Sequence, residues 1–94
     1  MYLKIKLLSY LREISGGKSN IVLKFEEDTI KLRAVLSELQ RIFGNTVKKL
    51  LINESKGELK SNIIILINKR SATDLDYLIT EDAEITIMPA IGGG

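Results

Sequence analysis

The stretch "KLRAVLSELQRIFGN", residues 31–45, decides the fold. Leu32, Val35, Leu36, Leu39 and Phe43 recur at three- and four-residue spacing, which gathers them into one apolar stripe on a helix. Most of the remaining positions are polar, and Gly44-Asn45 stops the helix. A helix with a single apolar face needs a surface to lie on. The segments on either side supply a sheet.

Upstream, "YLKIKLL" at 2–8 alternates, with Leu3, Ile5 and Leu7 on one side and Tyr2, Lys4 and Lys6 on the other. Period two is the signature of a strand with one buried face. "SYLREISGG" follows as one or two turns of helix, with Ser9 as N-cap and Gly16 as stop. "NIVLKFE" at 20–26 alternates again, Ile21, Leu23 and Phe25 inward, and makes an antiparallel pair with the first strand. Glu27 and Asp28 stand just ahead of the long helix, where negative charge suits its positive end.

Downstream, "TVKKLLI" at 46–52 reads as a short helical turn and "NESKGELKSN" at 53–62 as a mobile surface loop. "IIILI" at 63–67 is uninterrupted and apolar, which predicts a central strand covered on both faces. Asn68, Lys69 and Arg70 make a turn, and Asp74 to Leu78 can form one helical turn. "EITIM" at 84–88 puts Ile85 and Ile87 inward, and Pro89 closes the strand because it has no N–H to donate. The expected class is α+β, a mixed sheet of four to five strands with one long helix on one face and short helical turns.

Composition narrows the chemistry. The chain has 94 residues, 45% of them apolar and 28% charged, with a net charge of +2. That suits one folded domain and gives no basic field for nucleic acid. With no cysteine and no histidine, thiol nucleophiles, disulfides, histidine bases and zinc or iron–sulfur ligand sets are excluded. No signal segment opens the sequence and no apolar run approaches the ~18 residues of a membrane span, so a soluble cytoplasmic protein is expected.

Inside the domain nothing proposes a reaction. Glu26-Glu27-Asp28 and Glu81-Asp82 flank turns, where solvated charge is normal, and "SGGK" and "GELK" lack phosphate-loop spacing. Lys48, Lys49, Lys56, Lys60 and Lys69 read as a solvated face, and Tyr10 and Tyr77 as packing residues.

The tail is different. "MPAIGGG" at 88–94 ends in three glycines, a run expected by chance at one given place in about one chain in three thousand. From Ile91 onward it reaches ~13 Å at about 3.3 Å per residue, rooted in the last strand. Without Cβ atoms it can enter a narrow channel in another protein. The carboxylate of Gly94 is then the reactive group the chain can present, inert until activated.

The order strand–strand–helix–strand–strand, closing in "PAIGGG", resembles the ubiquitin-like β-grasp proteins of the MoaD type. That family holds the small subunit of molybdopterin synthase, the thiamine sulfur carrier, the ubiquitin-related modifier and the small archaeal modifier proteins. Its usual ending is Pro-Pro-Val, then Ala or Ser, then Gly-Gly. Pro89, Ile91, Gly93 and Gly94 match, whereas Ala90 replaces the second proline and Gly92 the small residue. "LLSYLREISG" at 7–16 is similar to the family's strand and apolar-x-x-Leu-Arg-Glu turn, and "NKR" replaces a frequent Asn-Gly.

The resemblance implies a β-grasp domain over 1–90 and a flexible C-terminal glycine tail over 91–94. It implies a non-enzymatic carrier that binds no cofactor, nucleic acid or membrane. An activating enzyme would use ATP to adenylate Gly94, with Ile91, Gly92 and Gly93 threading partner active sites. As a sulfur carrier, Gly94 becomes a thiocarboxylate that donates sulfur in molybdenum cofactor biosynthesis, working with the large subunit of molybdopterin synthase. As a protein modifier, the chain is joined to lysines of target proteins, a branch that also reaches tRNA thiolation. A third reading is a β-grasp interaction module that never uses its tail. For a partner interface the expected residues are Leu8, Met88, Pro89 and Ala90.

Overall fold

In a computed structural model, which describes residues 1–90, the elements follow one another as the alternations require. They are β1 (Tyr2–Leu7), a 3-10 helix (Ser9–Ser15), β2 (Asn20–Lys24), β3 (Ile30–Lys31) and α1 (Leu32–Phe43). There follow α2 (Thr46–Leu51), β4 (Ile52–Asn53), β5 (Glu58–Leu59), β6 (Ile63–Ile67), β7 (Arg70–Ser71), β8 (Leu78–Ile79) and β9 (Ala83–Pro89). The main sheet has five strands in the order β2-β1-β9-β6-β7. β1 pairs antiparallel with β2 and parallel with β9, and β9 pairs antiparallel with β6. The expected α+β class, with a mixed sheet and one long helix, is what the chain adopts.

One face of that sheet carries the core. Leu3, Ile5 and Leu7 of β1, Ile85 and Ile87 of β9, and Ile63, Ile65 and Ile67 of β6 are all buried. Against them lie Leu32, Val35, Leu36 and Leu39 of α1, with Phe43 half-buried at the edge. The stripe read from the sequence is therefore the packed face, at roughly 1.5–3 kcal/mol of transfer free energy for each large aliphatic side chain buried.

Local signals mostly act where expected, with corrections. Gly16 stops the first helical segment at φ 71°, the left-handed region that glycine enters without Cβ strain. Ser9 is not its N-cap: Leu8 holds that position, and Ser9 sits inside the first turn at φ 59° with no side-chain cap bond. Likewise no acidic residue lies in the first turn of α1, because β3 intervenes between Asp28 and the helix. Its first N–H groups are satisfied by a neighbouring loop, Leu32 donating to Tyr77 O at 2.9 Å and Arg33 to Leu75 O at 2.8 Å.

Three further expectations change. Segment 53–62 contains a hairpin, β4 paired antiparallel with β5, and Leu59 packs against the core, so it is not a plain surface loop. Residues 74–78 make a hydrogen-bonded turn, Tyr77 N–H donating to Asp74 O at 3.0 Å, followed by β8 and not by a helical turn. β6 is not the central strand: β9 is, and Ile64 and Leu66 are half-buried on a face that no helix among the described residues covers. The expected tail at 91–94 lies outside the described residues.

Candidate functional site

The sheet face turned away from α1 is built by parity. Residues alternate across a strand, so Tyr2, Lys4 and Lys6 share a face with Glu84, Thr86 and Met88 and with Ile64 and Leu66. Register sets them in rows. Met88 stands opposite Ile64, and Leu8, whose N–H donates to Ile87 O at 3.1 Å, continues β1 beside it. Leu8 is 40% exposed, while Met88 and Ile64 are half-buried.

The next row is Lys6, Thr86 and Leu66, and beyond it comes Val22 with Lys4 and Glu84. Lys6 Nζ lies 3.4 Å from Glu84 Oε1. At the far end Tyr2 N–H donates to Asp82 Oδ1 at 2.8 Å, and Lys24 Nζ sits 5.8 Å from the Tyr2 ring centroid. The face thus passes from an apolar row to charged rows along the strand direction.

The apolar row is at the end where the chain leaves β9. Pro89 pairs with Ile63 by register, and Ala90 N–H donates to Asn62 O at 2.8 Å. The Asn62 side chain donates from Nδ2 to Tyr10 Oη at 3.4 Å. This joins the 3-10 segment to the root of the tail. Tyr10 is 42% exposed and serves this edge without being a core residue; Tyr77 is equally exposed.

The structure brings together the expected residues Leu8, Met88, Pro89 and Ala90, all within this end of the sheet. Ile91, Gly92, Gly93 and Gly94 lie outside the described residues. Ile64 belongs to the row and sequence reading missed it, having treated β6 as covered on both sides. The available signal was its place one strand over from Met88, which needs the pairing to be known.

Elsewhere some polar groups are engaged structurally. The buried Ser15 hydroxyl donates to Lys18 O at 2.5 Å, and Lys60 Nζ donates to Lys49 O at 2.6 Å near the end of α2. No cluster of acidic side chains with metal-binding geometry occurs among the described residues. A surface depression of about 790 Å³ lies between Lys24–Phe25 and the Ala34, Ser37 and Arg41 side of α1. Two of its arginines are paired, Arg41 Nε donating to Glu38 Oε1 at 3.0 Å and Arg33 Nε lying 3.4 Å from Asp76 Oδ1. That hydrogen bond holds the Glu38 carboxyl below the usual range and raises Arg41.

The family model described as the ThiS family matches residues 5–94. The chain belongs to the ThiS family. Its strand order and single long helix are the ubiquitin-like β-grasp fold that the sequence resemblance implied. Among solved structures, small archaeal modifier protein 1 from Methanosarcina acetivorans is 29% identical, with 99% of this chain and 96% of that chain covered and a TM-score of 0.71. Mycobacterium tuberculosis CysO is 25% identical, covering 95% of this chain and 99% of that one, with a TM-score of 0.75.

A putative molybdopterin converting factor subunit 1 from Pyrococcus furiosus has a TM-score of 0.68, covering 97% of this chain and 99% of that one. At 14% identity it shows the shared fold alone. No curated protein sequence matches the chain. The ThiS family is one of ubiquitin-like sulfur carriers or modifiers. No helix among the described residues is long and apolar enough to cross a membrane.

Proposed function

We propose that this protein is a sulfur carrier of the MoaD type. Its Gly94 carboxylate attacks the α-phosphate of ATP on an activating enzyme, releasing pyrophosphate and leaving an acyl-adenylate. A sulfur nucleophile then displaces AMP, and the resulting thiocarboxylate donates sulfur to a pterin precursor held by a large synthase subunit. ATP and the chemistry stay with the partners, so this chain acts as carrier and not as catalyst, in the cytoplasm.

One observation carries the reading. The strand that leads into Ile91, Gly92, Gly93 and Gly94 is the middle strand of the sheet, and the apolar row Leu8–Met88–Ile64 lies at the end where it leaves. A partner that grips this row, with Pro89 and Ala90, holds the chain at the end of β9, next in sequence to the glycines. The test is intact mass spectrometry after incubation with ATP, the activating enzyme and a sulfur source. Oxygen-to-sulfur exchange at Gly94 is expected; none with the cognate activating enzyme would sink the proposal.

The second reading is a protein modifier, favoured by the likeness to a small archaeal modifier protein at 29% identity. It predicts glycine remnants of the tail on lysines of cellular proteins, and a remnant survey that finds none counts against it. Deleting Gly93 and Gly94 should abolish either function. Retained cellular function after that deletion would leave an interaction module that does not use its tail.

A further inference from the structure

The two edges of the five-stranded sheet are unlike. One is β7, two residues long, reached through Asn68 and Lys69. The other is β2, five residues long, and its outer side pairs with no strand among the described residues. Antiparallel partners alternate between hydrogen-bonded and non-bonded pairs. Met1 and Phe25 exchange both of their bonds at 2.8 Å, and Leu7 N–H donates to Ser19 O at 2.9 Å. With Leu3 opposite Leu23 and Ile5 opposite Ile21, residues 19, 21, 23 and 25 face β1. The N–H and C=O groups of Asn20, Val22 and Lys24 therefore point outward. The Val22 side chain is 65% exposed, more than any other large apolar residue among those described. An edge of this kind is a template for another strand.

Charge selects the strand. Lys18 precedes β2, and Glu26, Glu27 and Asp28 follow it, so the edge runs from basic to acidic. We propose that the β2 edge pairs antiparallel with the β2 edge of a second copy of this chain, with Val22 on the twofold axis. In that register Val22 meets Val22 of the second copy, and Asn20 meets Lys24 in both directions. Each of those pairs exchanges both of its N–H···O bonds. One step further out, Lys18 of each copy stands opposite Glu26 of the other, both exposed. Moving the axis to residue 21 would instead set Lys18 against Lys24. The contact is isologous, so every favourable pair occurs twice.

The contact is small, so the association is weak and concentration-dependent. It lies two strands from β9 and leaves Leu8, Met88 and Ile64 open. It is independent of the carrier reading.

Sedimentation equilibrium and amide spectra across a concentration series test it. The expected result is reversible dimerisation, with concentration-dependent shifts and exchange protection at the Asn20, Val22 and Lys24 amides. Val22→Lys, which sets two lysines on the axis, should leave a folded monomer; Val22→Pro removes the outward N–H and should do the same. Lys18→Glu and Glu26→Lys should each weaken the dimer about three- to tenfold, and combining them should restore it. A chain that stays monomeric at millimolar concentration overturns the proposal. So does a dimer that survives Val22→Lys, a double charge swap no better than the singles, or shifts confined to the Leu8–Met88 row. An edge that captures an unrelated extended peptide while the free chain remains monomeric would overturn the choice of occupant.

Discussion

The two faces of the sheet are made from the same strands and obey different rules. The inner face is apolar along β1, β9 and β6, because α1 lies along it and any polar group there would lose water without gaining a partner. The outer face is graded, apolar at Leu8, Met88 and Ile64 and charged at Lys4, Lys6 and Glu84. Nothing in folding requires that gradient. A face that only needed water would be polar throughout, and the docking role proposed for the apolar row gives it a reason.

The contrast makes a double test. Leu39→Ala or Ile85→Ala, both fully buried in the native chain, should cost about 2–5 kcal/mol in urea unfolding. Met88→Ala on the outer face should cost less than half as much. If the outer-face change proves as destabilising as the inner ones, the row is core and not contact surface. Met88→Asp or Ile64→Asp should then lower affinity for the activating enzyme or acceptor subunit by at least about tenfold, with a fall in the urea midpoint well short of that caused by the inner-face changes. Titration calorimetry reads the first and denaturation the second. Unaltered affinity would remove the row from the docking surface while leaving the tail chemistry standing.

How legible these faces were in the sequence follows from what periodicity can encode. β1, β2, α1 and β9 announce themselves because one side of each is buried and the other wet, so the period appears in the chain itself. "IIILI" hides the distinction: Ile63, Ile65 and Ile67 are core, whereas Ile64 and Leu66 lie on the open face and look the same in sequence. Whether a second layer covers that face depends on what packs there, and the chain alone does not say. β3, β8, β4 and β5 are two residues long, too short to show any period. At the site, Leu8 and Met88 were legible by parity, and Ile64 was not because it required the register with β9.

The turn at the β7 edge offers a smaller effect with the opposite sign. Asn68 and Lys69 sit at φ 49° and 71° between paired Ile67 and Arg70. A two-residue hairpin with both central residues left-handed favours Asn-Gly. Lysine pays a Cβ clash with the backbone there, on the order of 1 kcal/mol. Lys69→Gly should therefore raise the melting temperature by about 4–8 °C for a domain of this size. A lower melting temperature would mean that the Lys69 side chain contributes more than its backbone strain costs.

The smallest expected effect tests a third surface, the solvent side of α1, which serves neither the core nor the tail end. There the Arg41 guanidinium donates to the Glu38 carboxylate three residues earlier and holds its pKa below the ordinary 4.5. The folded chain therefore gives up that proton more readily than the unfolded one. Any stabilisation from the pair is complete above the ordinary carboxylate range and lost as pH falls through the folded value. Arg41 is exposed and Glu38 half-buried at the surface, so Arg41→Gln should leave the melting temperature at neutral pH nearly unchanged. It should move the Glu38 titration, followed by side-chain carboxyl NMR shifts, back up to the ordinary value. A Glu38 midpoint that stays low without Arg41 would mean that another donor, such as the helix backbone, holds the charge. A melting temperature that falls clearly at neutral pH would mean that this outer helix face carries structural weight the contrast between the two sheet faces does not capture.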